Sequence, residues 1–419
     1  MDILKDDVVI IRPPDKDGGP RVITVNCPDK IGLGLDLCRI LRIFGLSIVK
    51  GDISTDGKWC YIICWVVTKS SEKWGSSGWE LLKKRLMEAC PSCYSVSGIS
   101  YYCSELQSPE PPDVFLLKLC CHDRIGLLHD VAGVLCKLEL IIKKMKVSTT
   151  PNGRVIDLFF IPDTRKLLHT QYRFNIAIHE AIGEVLRDSM ISCKIEMVGF
   201  QIPACSQASS FLPSVITKDI FPLEISNELP SVSPAGSVSV SMDNSFSPSH
   251  TVVQIVCQDH KGLLYDIMRT LKDYNIQTSY GRFSVLRGKC EIELFIIQAD
   301  GKKIVDPNKQ NALYSRLWVE LLQPLRVALV SHGPYTELLV ANPVESSGKG
   351  RPLVFHDITR ALKMQMLDTC IFSAEIGRHT IGDREWEVHR VLLHEGDGFP
   401  IPRAEIAKGV WNMLMSQDY

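Results

Sequence analysis

The sequence lacks the features that would place it in several large protein classes. Its longest uninterrupted apolar run, residues 59–67, is nine residues long, a strand's length and far below the roughly 20 that a membrane-spanning helix needs. The first residues, Met1-Asp2-Ile3-Leu4-Lys5-Asp6-Asp7, lack the positive flank and apolar stretch of a secretory signal. There is no charge excess, with 47 basic against 48 acidic residues for a formal net of −1, and no polybasic run to follow a phosphate backbone. A nucleic-acid or membrane partner is therefore not expected, and the chain reads as soluble and cytoplasmic. It has no dinucleotide fingerprint, nucleophile elbow or His-Glu-x-x-His, and so no positive sign of an enzyme, a bound cofactor or a metal. An even, clustered set of cysteines is also missing. The 15 present are odd in number and spread along the chain, which suits reduced, buried thiols.

Over 419 residues, 45% are hydrophobic, enough for several buried cores. Three segments share one string: Asp29-Lys-Ile-Gly32-Leu33-Gly-Leu-Asp36, Asp123-Arg-Ile-Gly126-Leu127-Leu-His-Asp130 and Asp259-His-Lys-Gly262-Leu263-Leu-Tyr-Asp266. Behind each string the apolar positions superimpose as Leu33, Leu37, Ile40, Leu41, Phe44; Leu127, Val131, Val134, Leu135, Leu138; and Leu263, Ile267, Thr270, Leu271, Tyr274. That stripe is one face of an α-helix. Eighteen residues past the second Asp stands a serine in a strand-like stretch, Ser54, Ser148 or Ser284, and two residues before the first Asp stands Cys27, Cys121 or Cys257. So many agreements in register mean internal duplication. A fourth, worn copy aligns Asp357, Ile358, Ala361 and Leu362 with Asp36, Leu37, Ile40 and Leu41, with a longer loop at 343–351 and no Asp-x-x-Gly-Leu.

Each copy reads as strand, glycine loop, helix, two strands joined by a turn (Asp56-Gly57, Asn152-Gly153, Arg287-Gly288), and a second helix. Copies one to three then reach a last strand at 94–101, 193–198 and 326–331, while the fourth ends without one. The order βαββαβ predicts an α+β class of four ferredoxin-like domains, which the linker groups as two pairs. The expected domains are 20–102, 113–200, 250–333 and 335–419, with a Ser/Pro-rich, mostly irregular linker at 201–249. With that linker between them, copies one and two form one pair, and the worn fourth copy serves as structural partner to the third. Residues 8–11 offer a spare strand for a bare sheet edge.

These motifs together resemble the ACT domain, most specifically at Asp123-Arg-Ile-Gly126-Leu127-Leu-His-Asp130 with Ser148, and four copies with nothing else resemble the plant ACT domain repeat family. The resemblance implies regulation without catalysis: ACT domains pair side by side and bind small ligands, often amino acids, near the loop between first strand and first helix. In this chain that loop has a physical logic. A glycine leaves room for a ligand against the backbone, and the first amides of the helix offer unpaired donors to a carboxylate. Candidate ligand-binding residues are Asp123, Gly126, Leu127, Asp130 and Ser148 in the first-choice second copy, with Asp29, Gly32, Asp36 and Ser54 in the first and Asp259, Gly262, Asp266 and Ser284 in the third. Each acid also has a purely structural reading, as a helix cap or loop tether.

His129-Asp130 resembles the metal pair of phosphohydrolases, but the aligned pairs Leu35-Asp36, Tyr265-Asp266 and His356-Asp357 make the Asp the repeated feature and the His incidental. Ser346-Ser-Gly348-Lys349-Gly350-Arg351 fails as a phosphate loop, with Pro343 and Gly350 at positions that need Gly and Ser or Thr. The function expected is a sensor of an amino acid or small metabolite that acts on a protein partner or by self-association; the alternative is a ligand-free interaction scaffold of paired domains.

Overall fold

A computed structural model describes residues 8–16, 18–68, 75–91, 112–150, 152–164, 168, 172–199, 212, 217–218, 220–221, 238–332, 334–365, 371–382, 384–394 and 403–417. The first copy runs β1 (Val9–Arg12), β2 (Arg21–Pro28), α1 (Leu33–Ile43), β3 (Leu46–Thr55), β4 (Trp59–Thr68) and α2 (Ser76–Ala89). The second runs β5 (Val114–His122), α3 (Leu127–Lys137), β6 (Lys144–Thr149), β7 (Arg154–Pro162), α4 (Tyr172–Leu186) and β8 (Met190–Gly199). The third runs β9 (Val238–Asp243), β10 (Thr251–Gln258), α5 (Leu263–Asp273), β11 (Ile276–Leu286), β12 (Lys289–Gln298) and α6 (Pro307–Leu322). The fourth runs β13 (Arg326–His332), β14 (Tyr335–Pro343), α7 (Val354–Met364), β15 (Ile371–Ile381), β16 (Arg384–His394) and α8 (Arg403–Met415).

The chain divides into two units: Met1–Gln107, Leu229–Pro324 and Met415–Tyr419 form unit 1, and Ser108–Glu228 with Leu325–Leu414 form unit 2. Each has an eight-stranded antiparallel sheet, in the order β1-β2-β4-β3-β11-β12-β10-β9 in unit 1 and β13-β14-β16-β15-β6-β7-β5-β8 in unit 2. Ferredoxin-like copies thus pair side by side, as the resemblance to ACT domains implies. The partners differ from those expected, because copy one pairs with copy three and copy two with copy four. In unit 1 the seam is β3 against β11, with Tyr280 opposite Ser54 and Ser284 opposite Lys50. In unit 2 it is β6 against β15, with Ser373 opposite Ser148. Pairing through these strands removes two bare edges from each unit.

A second correction concerns the outer strands. The stretch expected to close copy three, β13, instead closes copy four: His332 pairs with Tyr335 across only two residues and the ladder runs on to Arg326 with Ala341. Closing so short a loop costs little entropy, so the local hairpin wins over a return to the earlier sheet. Copy three takes its outer strand from the expected linker, where β9 pairs with β10, and the spare N-terminal strand β1 closes its own copy on β2. Copy two keeps the expected order, with β8 on β5. The strand expected at 94–101 lies outside the described residues.

The helices pack where the stripe predicts. Leu33, Leu37, Ile40 and Leu41 enter one core with Ile23, Val25, Ile62 and Val66; Leu263, Ile267 and Leu271 enter its counterpart with Ile255, Ile292 and Leu294. Each fully buried aliphatic side chain contributes about 1.5–3 kcal/mol. The turns between the middle strands use Gly57, Gly153 and the Arg287-Gly288 pair at positive φ, as their residue types require. One inward position of β7 breaks the apolar pattern. Asp157, 1% exposed, stands between Leu119 and Val147, where the other two motif-bearing copies have Ile62 and Ile292. Among the described residues neither of its carboxylate oxygens has a hydrogen-bond partner, and burial, with Asp123 second, pushes it up to about 7.

Candidate functional site

Each glycine of the motif is the residue from which a first helix starts, in left-handed backbone at φ 80° for Gly32, 78° for Gly126 and 85° for Gly262. Copy four keeps the conformation without the glycine, with Leu353 at φ 66°. The first helical hydrogen bond runs from the Asp36 amide to the Gly32 carbonyl, 3.0 Å, and is repeated at Asp130 and Asp266. The amides of Gly34 and Leu35 precede it, so they have no partner within the helix and point off its positive end.

The acids do not cap these helices, none of which has a side-chain cap. Asp29 accepts a 2.6 Å hydrogen bond from the Thr55 hydroxyl, and burial raises its carboxyl above the usual range against that bond. Asp123 and Asp259 hold the hairpin turns through their amides, bonded to the carbonyls of Gly153 and Gly288. Asp36 and Asp130 tether the loop, pairing with Lys30 at 2.7 Å and Arg124 at 2.8 Å. Asp266 is 1% exposed and lies 3.7 Å from Arg269, whose main partner is Glu320 at 2.5 Å. Leu127 is a core residue at 4% exposure.

The serines stand apart from the loops. Ile53, Val147 and Phe283 face the helix-covered cores, so the alternation of a strand turns Ser54, Ser148 and Ser284 to the opposite face. They occupy the same end of the sheet as the loops but the wrong side of it.

What the sequence pattern did not supply is the contribution of the paired copy. The tenth residue of each first helix lies at the partner's loop: a Cβ on Gly32 would come 2.8 Å from the Lys272 side chain, and one on Gly126 would come 2.8 Å from Lys363 Nζ. The corresponding residue of α1 is Arg42, which lines a cavity of about 50 Å³ with Asp259 and Gly262. In α3 it is Cys136, facing the copy that has lost its glycine. Copies with a cation at this helix position thus face glycine loops, a signal visible once the pairing is known. Lys363 is held by Asp130 at 3.2 Å. Lys272 has no ion-pair partner among the described residues, and with Asp29, Gly32, Gly34, Ile53, Met268 and Thr278 it lines a cavity of about 80 Å³. A neighbouring compartment of about 50 Å³ shares Gly34, Ile53 and Met268 and is otherwise almost wholly apolar, lined by Leu37, Leu41, Phe283 and Leu294.

Copy four fills its loop from within. The Arg351 amide donates to Asn342 Oδ1 at 2.8 Å, and Asn342 donates to Glu387 at 3.1 Å. Burial works to raise the Glu387 carboxyl, but Arg378 at 2.8 Å, with His389 and Asn342, outweighs it and holds the group at about 2.

The paired first helices meet at their third residue. In unit 1 this is Leu35 with Tyr265; in unit 2 it is His129 with His356, ring centroids 4.9 Å apart. Burial first, then His356, Lys363 and Arg360 against Asp130, push His129 down to about 4, and its Nδ1 lies 3.2 Å from the Thr359 hydroxyl. The folded protein therefore keeps His129 neutral while the unfolded chain binds a proton below about 6.5. Its contribution is whole above pH 6.5 and declines as pH falls toward 4. Partial exposure reduces the loss to about 1–2 kcal/mol. Replacing His129 with leucine, the residue at Leu35, should remove this decline, seen as hydrogen-exchange protection of α3 between pH 6.5 and 4; an unchanged decline would contradict the assignment.

Among the described residues no three His, Cys, Asp or Glu side chains converge as a metal site, and no helix is long and apolar enough to cross a membrane. Comparison with known proteins gives a consistent family. Residues 239–335 match a model for an ACR9-like, ACT-like domain, 336–416 one for the C-terminal region of ACT domain-containing protein ACR9, and 11–91 one for the N-terminal region of ACT domain-containing protein ACR10. The chain is 58% identical over 420 residues to ACT domain-containing protein ACR10 of Arabidopsis thaliana, covering 99% of both. It is 48% identical to ACR9 of the same plant, covering 96% of this chain and 95% of the relative. Neither name includes a catalytic domain. Aspartate kinase from Synechocystis aligns at a TM-score of 0.30 and 14% identity over 72% of this chain and 54% of its own, a likeness on which no argument rests.

Proposed function

Because the chain belongs to the plant ACT domain repeat family, we propose that it is a regulatory protein without catalytic activity of its own, and that unit 1 senses an amino acid in the cleft at Gly32. The observation that carries this reading is Lys272, a cation with no ion-pair partner among the described residues, lying against Gly32 at a helix start in a cavity walled by both copies. An anion is the group that a helix start and a lysine together attract. A carboxylate at the helix start gains about 0.3–2 kcal/mol and a charged hydrogen bond to Lys272 about 1.5–3 kcal/mol. Asp29, at the opposite side of the loop, suits the ammonium. Together these reach the roughly 4–8 kcal/mol of millimolar to micromolar binding.

The ligand side chain enters the apolar compartment behind Gly34 and Met268, which favours aliphatic amino acids over charged ones. Entry swings the Lys272 side chain away from Gly32, and the ligand then touches α1 and α5 together, so that occupancy biases how the paired copies sit. A coupling of about 1–3 kcal/mol suffices for a switch read by a protein partner. Thermal-shift screening against the proteinogenic amino acids tests the reading. Leucine, isoleucine, valine or methionine should stabilise, by about 2.7 kcal/mol at 100 times its Kd, and aspartate and lysine should not. A flat response across the panel would count against sensing, and an equal response to charged and aliphatic members against the assigned compartment.

Unit 2 favours the scaffold reading. Its cation, Lys363, is already engaged by Asp130, and the copy-four loop is closed by Asn342 and Glu387. We assign unit 2 to structure and protein contact in the cytoplasm, with the ligand-dependent role in unit 1.

A further inference from the structure

A cluster of thiols lies directly beneath the Gly32 loop. Cys27, at the end of β2, stands across the ladder from Cys60, and both are closed off from solvent, at 0% and 2% exposure. Cys90 follows the last turn of α2 in extended backbone, only partly buried, with its Sγ 3.2 Å from the Leu86 carbonyl. It is in hydrogen-bonding contact with Cys27 and within the field of Lys30. The third copy repeats the cross-strand pair as Cys257 and Cys290, enclosed at 3% and 0% and with no partly exposed third thiol described beside them. Unit 1 therefore contains the same buried pair twice, and among the described residues only the pair at the Gly32 loop has an outer cysteine in contact with it.

We propose that Cys90 and Cys27 form a reversible disulfide on exposure to hydrogen peroxide, with Cys90 as the thiol that reacts and Cys27 as the one that resolves it. The thiolate of Cys90 attacks one peroxide oxygen, the O–O bond breaks, and the leaving hydroxide takes up a proton as water. Cys27 then attacks the Cys90 sulfur, the S–O bond of the sulfenic acid breaks, and the hydroxyl leaves as a second water with the Cys27 proton. Two thiols lose two electrons and one peroxide gains them. Reactivity follows thiolate character and access. The hydrogen bond from Cys27 and the charge of Lys30 lower the Cys90 thiol against its burial, whereas burial pushes Cys60 up to about 12. The hydrogen-bonding contact brings the two sulfurs within reach of each other, the first requirement for a disulfide. The bond joins the end of α2 to the strand that enters the loop two residues before Asp29, so oxidation reports directly at the cleft. This assignment is independent of the sensing proposal.

The test is differential alkylation and peptide mass spectrometry of the full reduced chain after a stoichiometric dose of hydrogen peroxide at pH 7. A Cys27–Cys90 cross-linked peptide should appear and be lost on treatment with dithiothreitol, with Cys90 oxidising at least tenfold faster than Cys257 or Cys290. In Cys27→Ala the sulfenic acid should persist at Cys90 and be trapped by dimedone; should that variant fail to fold, Cys90→Ser, at a partly exposed site, should abolish the cross-link. Linkage of Cys90 to Cys93 or Cys60, or oxidation of Cys90 no faster than that of the enclosed pair, would overturn the proposal.

Discussion

Replacing Asp157 with valine should stabilise β7 by an amount that is larger at pH 8 than at pH 4 by about 4 kcal/mol. The carboxyl sits in the core of the second copy at 1% exposure, where its sisters place isoleucine, and burial pushes it up to about 7. In the unfolded chain it ionises near 3.9, so the folded state holds the extra proton between these values. The group imposes no ionisation cost below pH 4, the cost grows as pH rises toward 7, and it stays constant above. Valine removes the titration and the unsatisfied oxygens, and adds little volume to a packed core. Asp157→Asn separates the two contributions, since it loses the pH dependence but keeps a buried polar group. Hydrogen exchange of peptides from β7 in the full chain reads the change locally. His129 and His379, both pushed down to about 4, oppose this trend in the wild type, but they are common to each variant and cancel in the difference. A gain equal at both pH values would mean that Asp157 titrates normally in the folded protein.

Changes at the Gly32 cleft should have the largest effects on ligand response. With the amino acid that stabilises the wild type, Lys272→Met is expected to weaken binding about 10- to 100-fold, the worth of one charged hydrogen bond. Gly32→Asp should abolish binding altogether. It places a side chain at φ 80°, brings a Cβ to 2.8 Å from Lys272 and puts a fixed carboxylate beside the amides meant for the ligand's own. Gly126→Asp serves as the control, because unit 2 is assigned a structural role; calorimetry should find its affinity unchanged. Loss of binding in that variant with retention in Gly32→Asp would reverse the assignment of the two units.

The repeat made the fold legible because periodicity records burial: the stripe from Leu33 to Leu41 and its counterparts define both helix and core. Pairing was less legible, since linker composition says how chain segments are joined and nothing about which edges match. A clue was present in the third helical residue, where copies two and four both place histidine, His129 and His356, while copies one and three place Leu35 and Tyr265. The strand β13 was misassigned because a strand following a helix suits either the end of one copy or the start of a hairpin in the next; the two-residue connection to Tyr335 decides it. In the site, the glycine loops were readable from their spacing, but the cation was not, because Lys272 belongs to a repeat 240 residues from Gly32. The serines misled for a simpler reason. Their register was right, and a strand's alternation put them on the far face.

The most direct test of the sensing account is a crystal structure of the full chain grown with the amino acid that stabilises it most. The account predicts a carboxylate on the amides of Gly34 and Leu35 with Lys272 turned to meet it, the ammonium at Asp29, and the side chain between Met268 and Ile53. Density for the amino acid at another place, or a cleft in which Lys272 still lies over Gly32 at saturating ligand, would contradict it.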